Sequence, residues 1–274
     1  MTLSRSQVSE LLAVHGLRPK RKFGQNFVVD ANTLTRIVRL SGVGPGDRVL
    51  EIGAGLGALT EALRSAGAEV RALEIDPALV QILQERPELA DIEILSGDAL
   101  TAQIDELLPV GLGPWQVVAN LPYNVATPVV LRLLEDAPQV RRLLVMVQAE
   151  VGERMAAAPG DPAYGGVSIR VAYHASAKVV GKVPATVFLP VPAVESALVL
   201  IDRRSEPAVD PAIASEDEIF DLVATAFSQR RKMLRRSLAG LVAAEDFVAA
   251  GVAGSARPEE LDVAAFGRLA RAAR

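Results

Sequence analysis

The sequence predicts an α/β protein: a doubly wound, mostly parallel sheet followed by a small all-α C-terminal domain. Three observations carry that expectation. Residues 48–201 alternate short apolar runs with stretches of helical spacing. A glycine-rich turn joins the first apolar run to the first helical stretch. The composition shifts at SEPAVDP (205–211), and beyond it DEIFDLVATAFSQRRKMLRRSLAGL keeps a helical period. A chain of 274 residues is long enough for one large or two unequal domains with a substantial core.

In chain order, RVLEI (48–52) reads as a short buried strand and LGALTEALRSA (56–66) as a helix ending before Gly67. EVRALEI (69–75) is the next strand, and a helix opens at Pro77, a residue favoured in the first turn. IEILSG (92–97), WQVVAN (115–120) and LLVMVQ (143–148) follow as strands, with a helix opening near Thr127 and Pro128 between the last two. Strands separated by helices of this size require parallel crossovers. From residue 166 the pattern changes. VSIRVAYHA (167–175), AKVVGKV (177–183) and SALVLIDRR (196–204) read as strands without long helices between them, as an antiparallel edge would. The expected division is residues 1–204, with a basic N-terminal segment over 1–30, and a helical domain over 205–274.

Composition excludes several classes. Half the residues are hydrophobic and 23% are charged, which rules out a disordered chain. There is no uninterrupted apolar run of about 18 residues, so no membrane span is expected. The opening MTLSRSQVSELLAVHGLRPKRKFG has no apolar export core, so the expected compartment is the cytoplasm. The absence of cysteine excludes disulfides, thiolate metal sites and a Cys nucleophile. The two histidines, His15 and His174, read as structural residues, and no metal is expected. No obvious pairing face stands out, and a monomer is expected.

The net charge is −4, which taken whole argues mildly against nucleic acid. Locally the balance reverses. RPKRK (18–22) carries Arg18, Lys20, Arg21 and Lys22 with no acid, and QRRKMLRR (229–236) carries Arg230, Arg231, Lys232, Arg235 and Arg236 with none. A single helix through the second run would align Arg231, Arg235 and Leu238 and turn Met233 and Leu234 inward. Five positive charges without an acid favour contact with phosphates.

VLEIGAGLGA places Gly53, Gly55 and Gly57 between a strand and a helix, where the backbone can turn sharply and approach a ligand. Glu74 ends the second strand, 21 residues after Gly53, where a carboxylate can accept both hydroxyls of a ribose. Together these predict a nucleoside cofactor across the strand ends. Gly53, Gly55 and Ala58 also satisfy the dinucleotide pattern G-x-G-x-x-G/A. Glu51 tilts the reading toward S-adenosyl-L-methionine, whose ammonium and sulfonium tolerate an acid there. Asp98, in LSGDAL, can accept from an adenine amino group, although a lone strand-end Asp also serves as a helix cap.

WQVVANLPYNVATP carries the chemistry. An adenine amino nitrogen is a poor nucleophile because its lone pair is delocalised into the ring. Two acceptors holding its hydrogens would localise that pair, and the Asn120 side-chain oxygen and the Leu121 carbonyl can supply them. Pro122 biases Leu121 away from the helical region, which can turn that carbonyl into a pocket. Tyr123 can stack on the base, favouring the positive charge that grows on it by about 0.5–2 kcal/mol. No general base is needed, since the methylated amine loses its proton readily to water.

The chain resembles the small-subunit ribosomal RNA adenine dimethyltransferases of the kasugamycin-resistance type. The likeness runs over KFGQNFVVD (22–30), LEIGAGLGALT (50–60), LEIDP (73–77), GDAL (97–100), NLPYNVATP (120–128), VQAEVGERM (147–155), YGGVSI (164–169), VFLPVPAVESALV (187–199) and AFSQRRKMLRRSL (226–238). Val191 departs from the consecutive prolines often found in that family. The resemblance implies a seven-stranded Rossmann-like methyltransferase sheet. It implies that Asn26 and Val28 touch the methionine part of S-adenosyl-L-methionine, with Gly53, Gly55, Glu74, Asp98 and Asn120 completing the set. It further implies that Phe188 presents an aromatic face to a flipped base opposite Tyr123, where the plain alternative is a core residue. The substrate it implies is 16S rRNA in the immature small subunit, dimethylated at two adjacent adenosines near the 3′ end. Two related alternatives remain: an RNA-binding assembly factor with secondary or lost catalysis, and a large-subunit methyltransferase of the macrolide-resistance type. A nicotinamide oxidoreductase explains neither NLPY nor the basic run.

Overall fold

The computed structural model describes residues 3–109 and 111–274. They form two compact units, one of Met1–Gly152 with Lys178–Asp202 and one of Glu153–Ala177 with Arg203–Arg274. The elements run α1 (Arg5–Val14), β1 (Phe27–Val28), α2 (Ala31–Ser41), β2 (Arg48–Ile52), α3 (Ala58–Ser65), β3 (Glu69–Glu74), α4 (Pro77–Glu85), β4 (Glu93–Ser96), α5 (Ile104–Leu107), β5 (Trp115–Asn120), α6 (Ala126–Asp136) and β6 (Val140–Gln148). Then come α7 (Ala149–Ala156), α8 (Gly166–His174), β7 (Ala175–Val183), β8 (Phe188–Leu189), β9 (Ser196–Arg203), α9 (Glu216–Ser228), α10 (Leu234–Ser237), α11 (Ala244–Ala249) and α12 (Val263–Ala272).

The seven-stranded sheet has the order β4-β3-β2-β5-β6-β9-β7. β2 pairs in parallel with both β3 and β5, and β9 is antiparallel to β6. The chain therefore leaves β2 in one direction toward β3 and returns on its other side as β5. Such a switch point opens a crevice at the carboxyl ends of the strands. The central strands are nearly continuous apolar runs because both faces are covered: Val49, Leu50, Val117, Val118 and Val145 have no measurable exposure. Helix starts follow local chemistry. Asp30 and Asp76 each accept from a first-turn N–H, and Pro77 follows Asp76.

The second unit has its own core, built from Tyr164, Ile169, Tyr173, Ile219, Leu234 and Phe266 among others. Two expectations are corrected here. VSIRVAYHA is not a strand but most of α8. Ser168 Oγ accepts from the Gly165 N–H, and Ile169 and Tyr173, four residues apart, share the face that enters this core. Because of that burial, residues 153–177 group with the C-terminal helices rather than with residues 1–152, so a single cut near 205 does not describe the units. The second correction concerns QRRKMLRR, which is not one helix. α9 stops at Ser228, and helical structure resumes only over Leu234–Ser237. The Leu234 and Arg235 N–H groups donate instead to the carbonyls of Ala256 and Gly254, at 2.8 and 3.0 Å. Leu234 is buried as expected, but Met233 is exposed. Among the described residues no helix is long and apolar enough to cross a membrane.

Candidate active site

The glycine-rich turn lies at the switch point. Gly53, Gly55 and Gly57 all have positive φ, at 78°, 61° and 81°. The Gly53 N–H donates to the Leu73 carbonyl at 2.8 Å, which ties the turn to the end of β3. At Gly57 a Cβ would sit 2.6 Å from Leu89 Cδ1, so packing as well as backbone conformation demands glycine there.

Two buried carboxylates flank this turn. Glu74 Oε2 accepts from the Gly55 N–H at 2.8 Å, and Oε1 accepts from the Asp76 N–H at 2.9 Å. Burial pushes its carboxyl above the ordinary value, and the backbone donors pull it partly back. Each oxygen keeps further acceptor capacity, which suits the two hydroxyls of a ribose. Glu51 is 1% exposed and accepts from Thr60 Oγ1. Burial is the main cause that pushes Glu51 up to about 8; the Thr60 hydrogen bond opposes this and the Glu74 charge adds to it. A cationic ligand beside Glu51 would restore its charge.

The NLPY turn faces the same cleft, which Asn26, Glu51, Gly53, Glu74, Asn120 and Tyr123 all line. Asn120 Nδ2 donates to the Asn26 carbonyl at 2.9 Å. A carbonyl can only accept, so this bond fixes which end of the amide is which and frees Oδ1 to act as an acceptor. The Leu121 N–H donates to the Met146 carbonyl at 3.0 Å, continuing the β5–β6 pairing. Pro122 packs beneath the KFGQNF segment: a Cβ on Gly24, itself at φ 60°, would lie 3.0 Å from Pro122 Cβ. Tyr123 Oη is 2.8 Å from Ser196 Oγ, which anchors the ring by its far end. Burial raises the phenol pKa, and Ser196 partly offsets that.

An adjoining cavity of about 250 Å³ is lined by Phe23, Ile75, Asp98, Pro122 and Val125. Asp98 Oδ1 accepts from the Leu100 N–H at 2.9 Å, so Asp98 does cap a turn; its other oxygen is left as an acceptor in a cavity with apolar walls. Ile75 is 37% exposed here, an apolar surface that suits a purine face.

The other expected residues fall as follows. Val28 lines the cleft from β1, with its side chain largely buried. Phe188 does not present its ring to a base. It has no exposure, pairs opposite Val28 in the β1–β8 ladder and belongs to a core cluster with Leu34 and Leu198. Its apolar ring is used for packing, leaving Tyr123 as the NLPY aromatic on the cleft. Lys20 is not available for phosphate either, because its Nζ pairs with Asp76 Oδ2 at 2.8 Å. Arg18, Arg21 and Lys22 are exposed. Arg231, Lys232, Arg235 and Arg236 are exposed as well, whereas Arg230 donates to the Pro162 carbonyl at 2.9 Å. His174 Nε2 lies 3.1 Å from Glu216 Oε1 within the second unit. Sequence reasoning gave no role to Gln25 or Asp76, although both lie in segments that carry the family likeness and Asp76 precedes the Pro that starts α4.

Comparison with known proteins matches residues 16–273 to the family described as ribosomal RNA adenine dimethylase. Ribosomal RNA small subunit methyltransferase A of Streptomyces avermitilis is 47% identical, over 98% of this chain and 92% of its own length. The protein of that name from Cutibacterium acnes is also 47% identical, over 94% and 89%. Among solved structures, the 23S rRNA methyltransferase ErmE aligns with TM-score 0.71 and 27% identity, covering 90% of this chain and 99% of that one. A dimethyladenosine transferase from Plasmodium falciparum gives 0.72 at 24% identity, over 88% and 94%, a likeness of fold.

Proposed function

The chain belongs to the ribosomal RNA adenine dimethylase family, and we propose that it methylates N6 of two adjacent adenosines in the 3′-terminal hairpin loop of 16S rRNA during small-subunit assembly. It is an S-adenosyl-L-methionine-dependent rRNA methyltransferase. The 47% identity to small-subunit enzymes, against 27% to ErmE, supports the small-subunit substrate. The observation that carries the chemistry is the Asn120–Asn26 bond, which turns Asn120 Oδ1 into a fixed acceptor on the cleft.

The cleft fits the cofactor. Glu74 offers acceptors for the ribose hydroxyls, Asp98 and Ile75 suit the adenine, and Asn26, Val28, Glu51, Gly53 and Gly55 line the space for the methionine part. When bound, the cofactor supplies an electrophilic methyl group on a positively charged sulfur. Asn120 Oδ1 and the Leu121 carbonyl each accept one hydrogen of the adenine amine, which localises its lone pair. Pro122 biases Leu121 away from the helical region, which favours turning its carbonyl toward the amine. Tyr123 stacks on the base and favours the cation that develops there. Methyl transfer to that nitrogen would leave a proton that passes to water, so none of these residues need act as a general base. Each dimethylation repeats this step once on the monomethylated amine, which still offers one hydrogen to an acceptor.

Arg18, Arg21 and Lys22 in the first unit, and Arg231, Lys232, Arg235 and Arg236 in the second, supply sequence-independent phosphate contacts, while Arg230 is held by the Pro162 carbonyl. Sequence selection then falls on an unstacked loop adenosine, which costs less to extrude than a paired one. We place the reaction in the cytoplasm, on immature subunits, with the protein acting as a monomer. The test is incubation with labelled donor and unmethylated small subunits, followed by mass spectrometric mapping. Two neighbouring dimethyladenosines near the 3′ end of 16S rRNA are expected. Label confined to large-subunit RNA, or absent from RNA altogether, would overturn the reading.

A further inference from the structure

Asp76 does more than start a helix. Capping α4 uses one contact, from the Ala78 N–H to Oδ1 at 3.2 Å. The rest of the carboxylate is committed to a segment more than fifty residues away. Lys20 Nζ lies 2.8 Å from Oδ1 and 2.8 Å from Oδ2, and Gln25 Nε2 donates to Oδ2 at 3.0 Å. Gln25 Oε1 in turn accepts from the Lys20 N–H at 2.8 Å, so the two ends of residues 20–25 are also tied to each other. The Asp76 side chain is only 3% exposed, and its carboxyl is held low: burial works to raise it, and Lys20 and Gln25 outweigh that.

Both ends of this arrangement reach the cleft. On one side the Asp76 N–H donates to Glu74 Oε1. On the other, the residue after Gln25 is Asn26, whose carbonyl holds the Asn120 amide. We propose that Asp76, Lys20 and Gln25 form a clasp that fixes residues 20–26 across the strand ends, so that one ion pair, buried on its carboxylate side, positions both the ribose carboxylate and the acceptor asparagine. They are positioning residues; none is placed to touch the reacting atoms. The inference rests on the methyltransferase reading for what the cleft binds. It also separates Lys20 from its basic neighbours: Lys20 acts on the cofactor, not on RNA.

Removing Lys20 leaves the buried Asp76 carboxylate without its cation, and neutralising Asp76 releases Lys20 and weakens the Gln25 contact, so the clasp fails as a unit. The test is calorimetric titration of S-adenosylhomocysteine into the full-length protein, with Lys20→Met, Asp76→Asn, the double variant and Lys20→Arg. Asparagine still caps a helix, so α4 remains intact. Each single variant is expected to bind about tenfold more weakly, the double variant no more weakly than the worse single, and Lys20→Arg within about threefold of the parent. The salt dependence of rRNA binding should be unchanged by Lys20→Met, which a phosphate contact could not satisfy. At saturating donor, Asp76→Asn should also lower kcat, because Asn120 loses its anchor. Single-variant affinities within twofold of the parent, or losses that multiply in the double variant, would overturn the clasp. Failure of the unaltered protein to methylate 16S rRNA would instead strike the proposed function, since this binding measurement needs no RNA.

Discussion

The strand-end cleft and the basic stretch of the C-terminal unit are both polar, and they are built in opposite ways. In and just behind the cleft the polar groups are buried and committed: Glu51 and Glu74 on its wall and Asp76 behind it are each under 5% exposed, and Asn120 is pinned by a backbone carbonyl. In the basic stretch, Arg231, Lys232, Arg235 and Arg236 are exposed on an interrupted chain whose only helical piece is four residues long. The difference matches two tasks. Localising the lone pair of a weak nucleophile needs acceptors fixed to within a fraction of an ångström, and only buried, hydrogen-bonded groups are held so closely. Meeting a phosphate backbone needs positive charge at roughly the right place, and long solvated side chains provide it.

If that contrast is right, substitutions in the cleft should be large and specific, and those in the basic stretch graded and sensitive to salt. The largest effect is expected for Asn120→Ala. Methyl transfer should fall by about 10²–10³, the cost typical of losing one preorganised polar group at a reacting centre. S-adenosylhomocysteine affinity should change far less, which single-turnover assay beside calorimetry will separate. Next comes replacement of Arg231, Lys232, Arg235 and Arg236 by Gln. KM for the rRNA substrate should rise by about tenfold to a hundredfold at physiological salt. The slope of log affinity against log salt should become shallower by up to about 3, at roughly 0.7 per lost phosphate contact on single-stranded RNA. Donor affinity should not move.

Glu51→Gln tests burial directly. With its carboxyl pushed up to about 8, Glu51 stays protonated in the fold while the unfolded chain ionises it above its ordinary value of 4.5. Its neutral form is therefore compatible with the fold at low pH. Relative stability is lost by about 1.4 kcal/mol per pH unit as pH rises through this window. The Gln variant should melt higher than the parent at pH 8 and much the same at pH 4.5, as thermal scans will show. Donor binding should release a proton near pH 7 in the parent but not in the variant. The smallest effect is expected for Tyr123→Phe, which loses only the exchange with Ser196 and keeps the ring. Transfer should stay within about threefold, whereas Tyr123→Ala should lose the stacking of about 1–3 kcal/mol.

The same contrast explains what could be read in advance. The cleft was legible because its geometry is local: positive-φ glycines after a buried strand, an acid at the next strand end, and Asn-Leu-Pro-Tyr at a third. The second unit was harder. VSIRVAYHA is rich in β-branched residues and alternates, yet it is helical because Ile169 and Tyr173 bury together against α9 and α12. QRRKMLRR has good helix formers, yet distant carbonyls at Gly254 and Ala256 capture its N–H groups. Phe188 sits in a family motif, but its burial depends on Val28 and Leu34, far off in sequence. The clasp was invisible for the same reason, since nothing in RPKRK marks which lysine meets Asp76.

The most direct test is a crystal structure with S-adenosylhomocysteine and adenosine bound together. Asn120 Oδ1 and the Leu121 carbonyl oxygen are predicted to lie within about 3.2 Å of the adenine N6, with Glu74 on the ribose hydroxyls of the cofactor. An adenosine seated in the cleft with either oxygen turned away from N6 would contradict the account.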